Sequence, residues 1–272
     1  MPPRKELHYF DRSPKYPSGI ILISDHPINR LFGSAARNKR FRRLFREELL
    51  AAIRRRNWEE ICWFLHYYLG TYNDHWYTSL FNYGGDRIKG EITPAHSMLE
   101  LEDVKHIRSL FPEIKIILLL RNPIERAWSQ VRQVWTQGRM LNDLDDFDAV
   151  KKFIDSPRQS LRGDYIRSVD TWSSCFPREQ MFIGFYDDIV QNPGKLFLNV
   201  LQFLEVYPVE IDTFPSLFRK VNTSREKEMP VEVRYYLARK YRKQIEQLSH
   251  LIGSHALGWL READEVVEAY RK

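Results

Sequence analysis

The sequence predicts an α/β domain in which a central parallel sheet is covered on both faces by helices. Two observations carry this. Short, continuous aliphatic runs, above all Ile116-Ile117-Leu118-Leu119-Leu120, alternate with longer stretches of helical periodicity. Strands that are apolar throughout, rather than at every second position, belong to sheets buried on both sides. The chain has 272 residues, 43% of them hydrophobic, enough for a full core. No internal repeat or low-complexity linker interrupts it, so residues 1–272 read as a single domain.

Taken in order, residues 1–36 look irregular, with turn signals at Ser13-Pro14, Pro17-Ser18-Gly19 and His26-Pro27. Residues 37–56 form a basic amphipathic helix pattern, with Phe41, Leu44, Phe45, Leu49 and Ile53 at helical spacing. Aromatic-rich helices follow at 58–69 and 73–81, then a turn at Tyr83-Gly84-Gly85-Asp86 and a short strand at 87–92 ending in Thr93-Pro94. A helix at 99–110 leads to a strand at 115–120 and a helix at 123–135. Further helices are expected at 145–154 and 165–176, and a third strand at 180–185. Asn192-Pro193 opens a helix to about 204, and a long charged helix spans 230–251.

Composition narrows the function classes. The 7 Trp, 14 Tyr and 16 Phe exclude a disordered chain. A net charge of +6 suits an anionic ligand without naming one. Cys62 and Cys175 read as reduced thiols, and no His/Cys spacing suggests a metal, so no metal is expected. MPPRKELHYF has no apolar signal region and Ile116–Leu120 is too short to cross a bilayer, so a soluble cytoplasmic protein is expected.

The most informative stretch is IILLLRNPIERAWSQ. Asn122 can cap a helix, Pro123 fits its first position, and Glu125 completes a capping-box pattern. Arg121 therefore stands at the carboxyl end of a central strand beside a helix N-terminus, the edge where open α/β sheets bind ligands. The helix start offers N–H groups and partial positive charge to an anion, and Arg121 adds a forked donor. Ser129 lies on nearly the same side of the helix, roughly 10 Å further along its axis. The alternative on local physics is that Arg121 pairs with a carboxylate at the sheet edge and Ser129 is merely solvated.

RNPIERAWS resembles the 3′-phosphate-binding segment of sulfotransferases that use 3′-phosphoadenosine 5′-phosphosulfate (PAPS). The likeness is nearest to bacterial sulfotransferase-domain proteins and the heparan sulfate 3-O-sulfotransferases. Three further stretches agree: Lys5-Glu6-Leu7-His8-Tyr9-Phe10-Asp11 looks like the family's KExHFFD segment. Gly90-Glu91-Ile92-Thr93-Pro94-Ala95 looks like GExTPxY, with His96 where an aromatic is usual. Tyr165…Trp172…Phe176, then FIGFYDDI and Asn192-Pro193, resembles its later region. The resemblance implies a P-loop nucleoside-triphosphate-hydrolase-type fold, a three-layer α/β/α sandwich. It implies PAPS as donor, adenosine 3′,5′-diphosphate as product, and no metal.

It also implies roles. Arg121 and Ser129 hold the 3′-phosphate, and Tyr165 contacts the adenine end. A basic loop near the C-terminus adds a further phosphate contact, with Arg225 the choice among Lys220, Asn222, Ser224, Arg225 and Lys227. Glu6 maps to the base that deprotonates the acceptor, flanked by Lys5 and His8. Glu91, as a second base or a partner for a lysine or arginine, and His96, as the base, remain open. Arg126 reads as structural. The family's KxGTT loop, which grips the 5′-phosphosulfate, has no match here. The expectation is a domain lacking its first strand and loop, with weak nucleotide binding and poor turnover.

The acceptor class is a carbohydrate, lipid or small molecule, with no nucleic acid expected. Rivals are a non-catalytic nucleotide-binding relative and a nucleotide kinase or nucleic-acid-binding domain on the same sheet edge. The aromatic supply between 33 and 81 reads first as core. Arg162-Gly163-Asp164, the Asn222-Thr223-Ser224 sequon and the basic face of 37–56 carry no assigned role.

Overall fold

The computed structural model describes residues 1–17, 24–83, 85, 87–138, 143–206, 214–219, 227–253 and 255–270. The chain divides into two compact units, Met1–Asp103 and Val104–Lys272.

In the first unit, α1 (Pro27–Phe32), α2 (Ala36–Arg54), α3 (Trp58–Leu69) and α4 (Asp74–Ser79) are followed by 3-10 turns at Leu80–Asn82 and Pro94–Met98. Asn57 and Asn73 cap α3 and α4, each side chain accepting from the backbone N–H three residues on, Glu60 and Trp76. Trp63, Tyr67, Tyr68, Tyr72, Trp76 and Tyr77 are all buried, so core is their role, while Trp58 is exposed. The Trp63 and Tyr67 rings stack at 5.2 Å and Tyr72 meets Trp76 at 4.2 Å. α1 was not expected; its signal was Pro27 at the first helical position.

The strand expected at 87–92 does not form; the backbone there is irregular. Its two apolar side chains, Ile88 and Ile92, face solvent, and Glu91 and Thr93 turn inward instead. Glycines at 85 and 90 and a proline at 94 leave too little apolar surface to hold a strand in a sheet.

α5 (Leu101–Leu110) runs across the unit boundary. The second unit then contains β1 (Ile116–Leu120), α6 (Pro123–Thr136), α7 (Phe147–Ile154), α8 (Pro157–Gly163), α9 (Tyr165–Ser173), β2 (Met181–Phe185), α10 (Tyr186–Gln191), α11 (Pro193–Phe203), α12 (Val231–Ile252) and α13 (His255–Ala269). β1 and β2 pair in parallel, Ile116 opposite Met181 through Leu120 opposite Phe185. Side chains alternate across this pair. Leu118, Ile183 and Phe185 pack into a core built from α6, α12 and α13, centred on Val131, Leu237, Ile245 and Trp259. Phe182 packs on Phe203 of α11 at 5.5 Å, and Gly184 leaves room for Leu196. Helices thus flank both faces. Ile117 and Leu119 stay half-exposed, so the cover over β1 is thinner than an entirely apolar strand predicts.

Among the described residues no helix is long and apolar enough to cross a membrane.

Candidate functional site

β1 ends at Leu120 because the next three residues cannot continue it. Asn122 accepts from the Ile124 N–H at 3.0 Å and Pro123 starts α6. The Asn122 amide also donates to Glu262 of α13 at 3.2 Å, so the cap is buried and doubly used. Glu125 pairs with Arg234 of α12 at 3.6 Å rather than returning to the cap.

Arg121 and Tyr186 each follow directly on the paired residues Leu120 and Phe185. The Arg121 guanidinium lies 4.5 Å from the centre of the Tyr186 ring. The expected alternative, a carboxylate on Arg121, is not found among the described residues. The buried Tyr165 side chain at the start of α9 hydrogen-bonds the Arg121 backbone. Burial raises its phenol pKa, while Arg126 and that backbone contact pull it down. Ser129 is partly exposed on α6, and its hydroxyl has no hydrogen bond among the described residues. Arg126 donates to the Gln159 side chain at 3.2 Å and approaches the Tyr241 hydroxyl at 3.5 Å, a structural placement.

Arg225 lies outside the described residues, as do Lys220, Asn222 and Ser224. Lys227 is bound to Asp145 at 3.0 Å, and its carbonyl accepts from the Trp128 indole at 3.2 Å. The chain at 227 is therefore tied to α6 one residue from Ser129.

In the first unit the segment around Glu6 is anchored. Leu7, Tyr9 and Phe10 are buried, the Tyr67 hydroxyl donates to the Leu7 carbonyl at 3.1 Å, and Tyr9 donates to Asp74 at 2.7 Å. Arg4 bonds Glu48 and the Tyr68 hydroxyl. This packing forces His8 into the left-handed region at φ 58, a conformation worth a functional reading in a non-glycine residue. His8 Nε2 is 3.0 Å from Glu6 and Nδ1 is 2.9 Å from Asp11. Burial works against the imidazolium, yet the hydrogen bonds its ring N–H groups donate to Asp11 and Glu6 hold its pKa up to about 9. Lys5 is exposed and has no ion pair among the described residues.

Behind this group, His96 Nε2 lies 3.2 Å from Glu91 and 4.0 Å from Asp11. Burial pushes the Glu91 carboxyl up to about 8, with the nearby Tyr77 hydroxyl acting against it, and burial holds His96 down to about 4. No lysine or arginine pairs with Glu91 among the described residues. Among those residues, no group of three or more His, Cys, Asp or Glu side chains is arranged to hold a metal ion.

A sulfotransferase-domain family profile matches residues 91–248, more than half of the chain. The chain belongs to the sulfotransferase domain family. Arg121, Ser129 and Tyr165 of this sulfotransferase lie inside the matched region, and Glu6 and His8 precede it. The crystal structure of a sulfotransferase from Alicyclobacillus acidocaldarius aligns over 95% of this chain and 87% of that one, with 20% identity and a TM-score of 0.57. That likeness shows the fold, the P-loop-like α/β sulfotransferase architecture. No curated protein matches the chain significantly.

Two residues in contact with the expected site residues, one in each unit, escaped the sequence reading. Asp11 closes the KELHYFD segment, and its position three residues past His8 was the available signal. Tyr186 opens the YDDI run, which reads as a continuation of the strand; the helix starting there turns its ring toward Arg121.

Proposed function

We propose that this sulfotransferase, as a single domain over 1–272, transfers a sulfonate from PAPS to a hydroxyl or amine of a carbohydrate, lipid or small-molecule acceptor. The observation that carries the donor assignment is Arg121. It sits at the carboxyl edge of the sheet, is braced by an aromatic ring, and lacks a carboxylate partner among the described residues. A guanidinium so placed fits a phosphate, which it can grip with two parallel hydrogen bonds. The unpartnered Ser129 hydroxyl supports a second contact to the same 3′-phosphate, and the family likeness assigns a third contact to Arg225 and the adenine end to Tyr165.

When bound, the nucleotide supplies an activated sulfuryl group that leaves adenosine 3′,5′-diphosphate. The chain's own residues position groups and neutralise charge. Glu6 accepts the proton of the acceptor hydroxyl as its oxygen attacks sulfur, and the electron pair of the breaking S–O bond stays on the 5′-phosphate oxygen. His8, charged and hydrogen-bonded to Glu6, keeps that carboxylate oriented. Lys5 offers its ammonium to the sulfonate.

Calorimetric titration with adenosine 3′,5′-diphosphate, together with a sulfonate-transfer assay over an acceptor panel, tests this reading. Binding that needs the 3′-phosphate, with transfer lost in E6Q, is the expected result. Equal affinity for ATP selects the kinase-type alternative. Nucleotide binding with no turnover on any acceptor selects the binding-only alternative, which the unmatched KxGTT loop favours.

A further inference from the structure

Five ionisable side chains of the first unit form an unbroken series: Glu6, His8, Asp11, His96 and Glu91. Their successive separations are 3.0, 2.9, 4.0 and 3.2 Å. Side-chain exposure falls from 49% at Glu6 through 16% at His8 to 0% at Asp11, then 17% at His96 and 10% at Glu91. The outer two links are hydrogen bonds, and the inner two are charge-distance approaches. We propose that Glu91 and His96 are positioning residues for Glu6, acting on it electrostatically through Asp11 and His8. This rests on the reading of Glu6 as the base.

A buried carboxyl normally carries a lysine or arginine, and none pairs with Glu91 among the described residues. Its neighbours are His96, Asp11 and His8, with the Tyr77 hydroxyl from α4 and Tyr67 from α3; Arg4 lies over Tyr67 at 5.5 Å. Near neutral pH both Glu91 and His96 are uncharged, so His96 spaces two carboxyl groups without adding a cation. The His8 imidazolium is then shared between Asp11 inside and Glu6 outside. Ionising Glu91 adds a second inner negative charge. That charge draws the imidazolium inward and weakens its hold on the Glu6 carboxylate. The inner pair therefore sets the pH above which Glu6 loses its orientation.

The test is an NMR titration of the His8 ring in the full chain, which needs no donor or acceptor. In the native protein His8 should titrate near 9, with a second inflection near 8 from Glu91. In E91Q the inflection should vanish and the His8 midpoint should fall by about half a unit or more, because a carboxylate that favours the imidazolium is gone. E91D should restore the inflection. The alkaline limb of the pH–rate profile should move upward in E91Q while the KM for the nucleotide stays constant. Tyr77→Phe is a second variant that keeps the packing; loss of a hydroxyl that favours the carboxylate should shift the Glu91 inflection to higher pH. An unchanged His8 titration in folded E91Q, or an unmoved inflection in Y77F, overturns the proposal. E6Q separates the two readings: full transfer in E6Q removes Glu6 as base, whereas an inactive E6Q beside an unresponsive His8 removes this inference alone.

Discussion

The Arg121 guanidinium rests 4.5 Å from the centre of the Tyr186 ring, and both residues directly follow strand positions that face each other in register. The ring braces a cation that no described carboxylate neutralises. R121A should weaken adenosine 3′,5′-diphosphate binding by about 2 kcal/mol, roughly thirtyfold, since a charge-assisted hydrogen bond is lost. R121K should recover only part of this, lacking the fork. Y186A should cost about 0.5–1 kcal/mol and Y186F almost nothing. Calorimetry on the four variants checks the order.

Glu6 should behave as a base rather than a binding group. E6Q should lower kcat by about 10²–10⁴-fold with little change in nucleotide affinity. A matched fall in affinity would reassign Glu6 to donor binding.

Stability should peak on the mildly acid side. His8 has a folded pKa raised from 6.5 to about 9, so its contribution is complete below 6.5 and is lost as pH rises through 9. Glu91 is raised from 4.5 to about 8, so its contribution is complete below 4.5 and is lost as pH rises from there through 8. His96 is lowered from 6.5 to about 4, so the fold loses stability as pH falls through that window. Urea unfolding from pH 4 to 9.5 should show a plateau between about 4.5 and 6.5, where the His96 and Glu91 slopes cancel, and a steep decline above it. H8Q and E91Q should each flatten the alkaline side.

Asn122 joins two jobs, capping α6 and bonding Glu262. N122A should lower stability by about 1–2 kcal/mol, visible as a lower Tm, and N122D should keep the cap but place a charge beside Glu262. Thermal scans of the two variants separate cap from tether.

Legibility in the sequence followed local signal strength. β1 and α6 were readable because an aliphatic run meets an Asn-Pro boundary, and both begin and end within a residue of expectation. The same holds for β2 and for the Asn192-capped α11. The strand expected at 87–92 failed because two isoleucines suggested a pattern that tertiary burial of Glu91 overrides. α13 went unread although Ala256, Trp259, Leu260, Ala263, Val266 and Val267 recur at helical spacing; Gly253 at φ 56 ends α12, and the reading stopped there. Glu6 and His8 were singled out by likeness to a family segment. Their link to His96 and Glu91 was not legible, because it joins residues some eighty positions apart through a fold that only packing of Tyr9, Phe10 and Tyr77 creates.

The level ending of the two strands carries an evolutionary constraint. Successive strand residues point to opposite sides, so a single-codon deletion within β1 would turn the guanidinium away from its aromatic brace while sparing most of the hydrophobic interior. Chains descended from this one can therefore drift freely in composition along the strands, but they cannot change strand length without parting the guanidinium from its ring.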